Sequence, residues 1–143
     1  MSNTVLLLID FQNDYYSTYT DAKWALSGTE TAATLLAAFR KQNLPVIHVR
    51  HEFPSNDAPF FLPESDGAKI HTSVAPIQGE PVILKQQINS FRDTELNNIL
   101  KELNVDKLII VGAMSHMCID AVTRAAVDLG YECHVAHDAC SSS

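Results

Sequence analysis

The chain has 143 residues, 46% of them hydrophobic, and a formal net charge of −7. That length suits one compact domain with a single core, and no composition shift or internal repeat marks a linker. The acidic balance, with no Lys/Arg cluster to offset it, repels phosphate backbones and excludes a nucleic-acid partner, while the longest apolar runs are strand-sized and too short to span a membrane.

The apolar run at 4–9 (TVLLLI) ends at Asp10 and has the continuous hydrophobicity of a strand buried on both faces. Residues 27–42 are rich in Ala and Leu, with Leu35, Leu36 and Phe39 at helical spacing, and predict the first crossover helix. A second strand is expected at 44–49 (LPVIHV), with Pro45 at its start, where a missing N–H matters least. Residues 51–79 carry Pro54, Pro59, Pro63 and Pro76 without clean periodicity, and a loop this long is expected to be a lid or binding loop. A short third strand at 81–84 (PVIL) delivers Lys85. Asp93 or Thr94 then caps a helix containing Leu96, Ile99, Leu100 and Leu103. A fourth strand at 107–111 (KLIIV) is closed by Gly112, a helix follows at 118–129 with Gly130 as its stop, and a fifth strand is expected at 131–136.

Repeated strand–helix–strand units predict a parallel, Rossmann-like sheet with helices on both faces, a three-layer α/β/α domain over 1–143. The sequence stops just after strand five, where sheets of this kind usually continue. A last strand–helix unit is therefore expected to be missing, by truncation or because the fold is minimal. The first residues lack the basic stretch and cleavage site of a signal peptide. Cys118, Cys133 and Cys140 form an odd set with no CxxC pair, poor material for disulfides or zinc, and point to a reducing cytoplasm.

Active sites in open parallel sheets form beyond the carboxyl ends of the strands. Asp10 follows strand one, Lys85 follows strand three, and Cys118 begins the helix after strand four, so three reactive residue types converge on one edge. A helix N-terminus stabilises a thiolate at Cys118; a carboxylate at Asp10 can accept the thiol proton; an ammonium at Lys85 can hold Asp10 ionised. Singly, each has a plainer reading. Cys118 can be a small core residue, Asp10 a turn residue and Lys85 a solvated strand end.

The segment from Leu7 to Asp14 (LLIDFQND) resembles the opening motif of isochorismatase-like cysteine hydrolases. Lys85 with Ser90-Phe91 and Thr94-Glu95-Leu96 is similar to that family's lysine block. Gly112 to Ile119 (GAMSHMCI) resembles its cysteine block, which continues through Val122-Thr123, Ala126 and Gly130-Tyr131, and His137-Asp138-Ala139-Cys140 is similar to its closing block. The resemblance implies a catalytic triad of Asp10 as general base, Lys85 and the nucleophile Cys118. It implies a non-proline cis peptide between Ala113 and Met114, and an oxyanion hole from the N–H groups of Met114 and Cys118. The implied reaction is hydrolysis of a small amide or ureido substrate through a thioester, by a homo-oligomer (a dimer or larger) that needs no cofactor. The pocket wall is expected to draw on Phe11, Gln12, Tyr15, Trp24, Phe91 and Ser115, with Tyr16, Tyr19, Phe60 and Phe61 as further aromatic candidates.

Nicotinamidases of this family carry an Asp-x-His pair that binds a metal, whereas this chain has His48-Val49-Arg50-His51 without the aspartate. His48 and His51 stand three apart on a strand and point to opposite faces, so no metal is expected. His71 and His116 are left to loop packing or substrate contact. Members that cleave a vinyl ether can lack the cysteine, so Cys118 favours C–N cleavage over that alternative. A non-catalytic binding domain on the same fold is the other reading. A dinucleotide site is excluded, because Asp10-Phe11-Gln12 stands where a glycine-rich turn is required.

Overall fold

Five parallel strands form one sheet: β1 (Thr4–Ile9), β2 (Val46–His51), β3 (Val82–Lys85), β4 (Lys107–Gly112) and β5 (Glu132–Cys140). The computed structural model describes residues 3–9, 11, 23–52, 70, 74–87, 89–112 and 116–140, without the side chains of 23–28, 116–118 and 137–140. The strand order is β3-β2-β1-β4-β5, so the apolar run of β1 lies at the centre, paired on both sides. Its unbroken hydrophobicity follows from that place. Both faces of a central parallel strand are covered, and neither alternate residue set meets water.

Among the described residues three helices cover the sheet: α1 (Lys23–Lys41), α2 (Leu96–Glu102) and α3 (His116–Asp128). Alternation along the strands sorts the core into two clusters. Val5, Leu7, Ile9, Ile47, Val49, Ile83, Leu108 and Ile110 pack with Leu96 and Leu100 of α2 and with Ile119, Val122 and Ala126 of α3. Leu6, Leu8, Val46 and Val111 turn the other way, onto Ala32, Leu36 and Phe39 of α1. The architecture is thus the expected three-layer α/β/α sandwich.

All three helices end in the same way. Asn43, Asn104 and Gly130 take φ of 56°, 53° and 97°. The next residue in each case bonds back to the helix: Leu44 N to Phe39 O at 2.9 Å, Val105 N to Leu100 O at 3.1 Å and Tyr131 N to Ala126 O at 3.0 Å. These are Schellman stops, which satisfy the last carbonyls and turn an apolar residue inward. Asparagine serves at two of them because its short polar side chain tolerates the left-handed region better than other non-glycine residues.

Several boundaries differ from expectation. α1 begins at Lys23 and α3 at His116, both earlier than the apolar pattern suggests, while β2 and β3 run on to His51 and Lys85. α2 starts at Leu96 behind Glu95, which makes no side-chain cap. Thr94 Oγ1 instead accepts the Leu96 N–H at 3.3 Å and donates to Ser90 O at 2.6 Å. β5 reaches Cys140 through a register shift, with Ile110 opposite Val135 but Gly112 opposite Cys140. Most of 51–79, the expected lid, lies outside the described residues, although Val74 is buried against the α1-side core. No helix among the described residues is long and apolar enough to cross a membrane.

Candidate active site

From β1 the chain moves outward through β2 and β3, then returns past β1 to β4 and β5. The connections leaving β1 and β4 therefore diverge, which opens a crevice beyond the carboxyl ends of these two neighbours. Ile9 and Gly112, the last residues of β1 and β4, are register partners. Asp10 follows Ile9 in the chain but lies outside the described residues, as do Gln12, Tyr15, Met114 and Ser115. The Ala113–Met114 peptide lies outside them too.

Lys85 closes β3 and is only 1% exposed. Ile83 belongs to the core cluster beneath α2 and α3, so alternation directs Lys85 to the same face. Its Nζ donates to Gln87 O at 3.3 Å. A buried ammonium is costly unless it is paired, so this is not the solvated strand end that Lys85 could have been.

α3 lies on that face as well, held by Ile119, Val122 and Ala126. Cys118 is the third residue of α3, inside the turn whose N–H groups have no intrahelical acceptor. That turn contains no acidic residue of its own. The Cys118 side chain, like that of Trp24, lies outside the description.

Gly112 sets how closely α3 approaches the sheet. A Cβ built there runs into Ile119 Cδ1 and comes within 3.2 Å of Ile9 O. The absent side chain lets the first turn of α3 sit directly over the ends of β1 and β4. Gly112→Ala is expected to force the Ile119 side chain out of its present rotamer and cost about 1 kcal/mol of stability. Thermal unfolding checks this, and an unchanged midpoint overturns it.

The segment after Lys85 is tightly built. Asn89 Oδ1 accepts the Phe91 N–H at 3.0 Å, and Phe91 stacks on Tyr131 with ring centroids 6.4 Å apart. Tyr131 Oη donates to Asn97 Oδ1 at 2.7 Å. The expected pocket aromatics do not share one face. Phe91 packs on the α2/α3 side, whereas Phe11 is buried in the α1-side core.

At the same rim, Glu52 and the burial of His51 escaped the sequence reading. His51, the last residue of β2, and Glu52 just after it are 7% and 5% exposed. Glu52 N donates to Lys85 O at 3.1 Å, and Arg50 Nη1 donates to Glu52 Oε2 at 2.8 Å. The available signal was the alternation Ile47, Val49, His51, which continues the core-facing row one step beyond the expected strand end. His48 points to the opposite face and bonds Glu80. No group of His, Cys, Asp and Glu that could hold a metal occurs among the described residues.

Comparison with known proteins bears on this arrangement. The Isochorismatase domain family matches residues 4–143. An uncharacterized isochorismatase family protein of Bacillus subtilis is 47% identical, over 98% of this chain and 78% of its own length. A crystal structure described as an isochorismatase hydrolase from Oleispira antarctica shares 65% identity with a TM-score of 0.91, over 98% of this chain and 76% of that one. The maleamate amidohydrolase of Pseudomonas putida is 30% identical, over 88% of this chain and 66% of its own length. Fold, motif order and these similarities agree: the chain belongs to the isochorismatase family of hydrolases.

Proposed function

We propose that the chain is a cysteine-dependent hydrolase that cleaves the C–N bond of a small amide or ureido substrate, with Cys118 as nucleophile, Asp10 as general base and Lys85 as their charged partner. One observation carries the reading. A buried lysine ends β3 on the same sheet face as α3, whose first turn holds Cys118, beside the crevice at the ends of β1 and β4. The 30% identity to a maleamate amidohydrolase supports the bond class.

Asp10 takes the thiol proton and the Cys118 sulfur attacks the carbonyl carbon. The N–H groups of Met114 and Cys118 receive the oxyanion. The protonated Asp10 gives its proton to the departing nitrogen, the C–N bond breaks, and a thioester remains. Asp10 then takes a proton from water, whose oxygen attacks the thioester and releases the acid and the thiol. Lys85 holds Asp10 ionised between turnovers. Gln12, Tyr15, Trp24 and Ser115 supply the pocket wall, with Phe91 on the α2/α3 side, while Phe11 belongs to the α1-side core. A thiol nucleophile suits a reducing cytoplasm, and exposed Val82, Leu84, Val127 and Leu129 suit assembly into a dimer or larger homo-oligomer.

Incubation with a panel of small primary amides and ureas, read by ammonia release and intact mass, tests the reading. The expected result is ammonia from at least one compound and a transient acyl adduct on Cys118. Adducts confined to Cys133 or Cys140, or turnover of vinyl ethers alone, overturn it.

A further inference from the structure

We propose that His51 is a positioning residue for Lys85: the surface over which the lysine stem crosses from the outermost strand toward the catalytic crevice. The inference rests on the triad reading above and on three placements. First, β3 is two strands from β1, so the ends of the two strands stand about 10 Å apart at the usual parallel spacing. Lys85 can serve the crevice only by running across the end of β2. Second, the residue ending β2 is His51, the register partner of Lys85. Third, alternation from Ile47 and Val49 puts His51 on the α2/α3 face, where Ile83 puts Lys85, and both residues are buried. Lysine stem and imidazole therefore lie side by side beneath the same helices.

The sequence itself argues that this ring is there for more than packing. The row Ile47–Val49–His51 is apolar until the rim, and a branched aliphatic residue would complete the core at no desolvation cost. A flat ring instead gives the four-carbon stem a plane to lie on while its charged end reaches the crevice. Among the described residues, the charged group set beside the ring is its register partner Lys85 on β3; Arg50, one residue earlier, turns to the other face and bonds Glu52, and α3 lies above the His51 face. Without the ring the stem loses this support, and the ammonium is held less firmly on the crevice side of the sheet.

The test reads Cys118 reactivity, so it needs no natural substrate. The rate of carbamidomethylation of Cys118 by iodoacetamide is followed by mass spectrometry from pH 5 to 10. It is measured in the wild type, His51→Ala, His51→Gln, His51→Phe and Lys85→Met, with thermal midpoints alongside. His51→Ala and His51→Gln are expected to raise the pH of half-maximal alkylation by about one unit, a roughly tenfold slowing at neutral pH, matching Lys85→Met. His51→Phe, which keeps a flat ring, is expected to restore the wild-type profile. A wild-type profile in folded His51→Ala or His51→Gln, beside a shifted Lys85→Met, overturns the positioning role alone. An unshifted Lys85→Met overturns the triad reading with it.

Discussion

Cys118→Ala is expected to lower kcat/KM for any hydrolysed amide by at least about a thousandfold, with a thermal midpoint within a few degrees of the wild type. The size follows from the proposed mechanism. Without the sulfur there is no covalent intermediate, and residual rate comes only from bound water and the oxyanion donors. The mildness of the structural effect follows from how α3 is seated. Its packing on the sheet comes from Ile119, Val122 and Ala126. Alanine is also a good helix former, so the first turn keeps its shape. Steady-state kinetics and a melting curve on one preparation check both halves. Retained turnover would place the nucleophile at another residue.

Glu80→Ala is expected to destabilise the protein by about 3 kcal/mol, a fall of about 10 °C in the thermal midpoint. Glu80 sits before β3, at the end of the sheet opposite the crevice. Its carboxylate accepts Arg40 Nε at 2.8 Å and Arg40 Nη2 at 2.7 Å, meets His48 Nε2 at 2.8 Å, and accepts the Ile77 N–H at 3.1 Å. Arg40 also donates to Ala75 O at 3.0 Å, so the cluster ties the end of α1 to the chain that enters β3. Removing the carboxylate leaves the His48 ring, 1% exposed, without its partner, and a buried unpaired polar group carries the full desolvation cost. Arg40 is more open to water and recovers part of its loss there.

The same cluster predicts the acid response. Burial on its own would raise the Glu80 carboxyl, but hydrogen bonds from Arg40, His48 and the Ile77 N–H, with the charge of Arg40, outweigh it and hold the group at about 2, against 4.5 in the open chain. Between those values the unfolded chain binds the extra proton. This contribution is therefore complete above pH 4.5 and is lost as pH falls through about 2. Burial lowers the His48 imidazole, and the Glu80 bond offsets this only in part, so acid costs stability there too, beginning below 6.5. Urea midpoints from pH 2 to 7 should fall steeply for the wild type below 4.5 and much less for Glu80→Ala. Parallel slopes would show that the carboxylate does not carry the acid sensitivity.

What the sequence disclosed, and what it withheld, follows from the range of each interaction. β1 was plain because a central strand buries every residue, and that leaves an unbroken apolar run. Gly130 was plain as a helix stop, whereas Asn43 and Asn104, performing the same turn, were missed because asparagine is less diagnostic than glycine. The end of β2 was set too early because His51 looks like the first polar residue of a loop, when it is a buried member of the row begun by Ile47. The start of α3 was placed at Cys118 because His116 and Met117 carry no capping signal. The Arg40–His48–Glu80 cluster had no local trace at all. Its members lie 40 and 32 residues from Glu80, and no periodicity links a loop glutamate to a helix end and a strand interior. Lys85 was found from its place after a strand, but its burial became visible only when β3 was extended by one residue.

The pairing of β1 with β4 has a consequence for how the molecule is made. Ile9 and Gly112 bond across a gap of roughly a hundred residues, so on a ribosome adding about 5–20 residues per second the first strand waits about 5–20 s for its second neighbour. Contacts that distant in sequence slow folding in general. Through that interval one edge of a strand buried along nearly its whole length stays open, and the newborn chain is at its stickiest before its partner strand arrives.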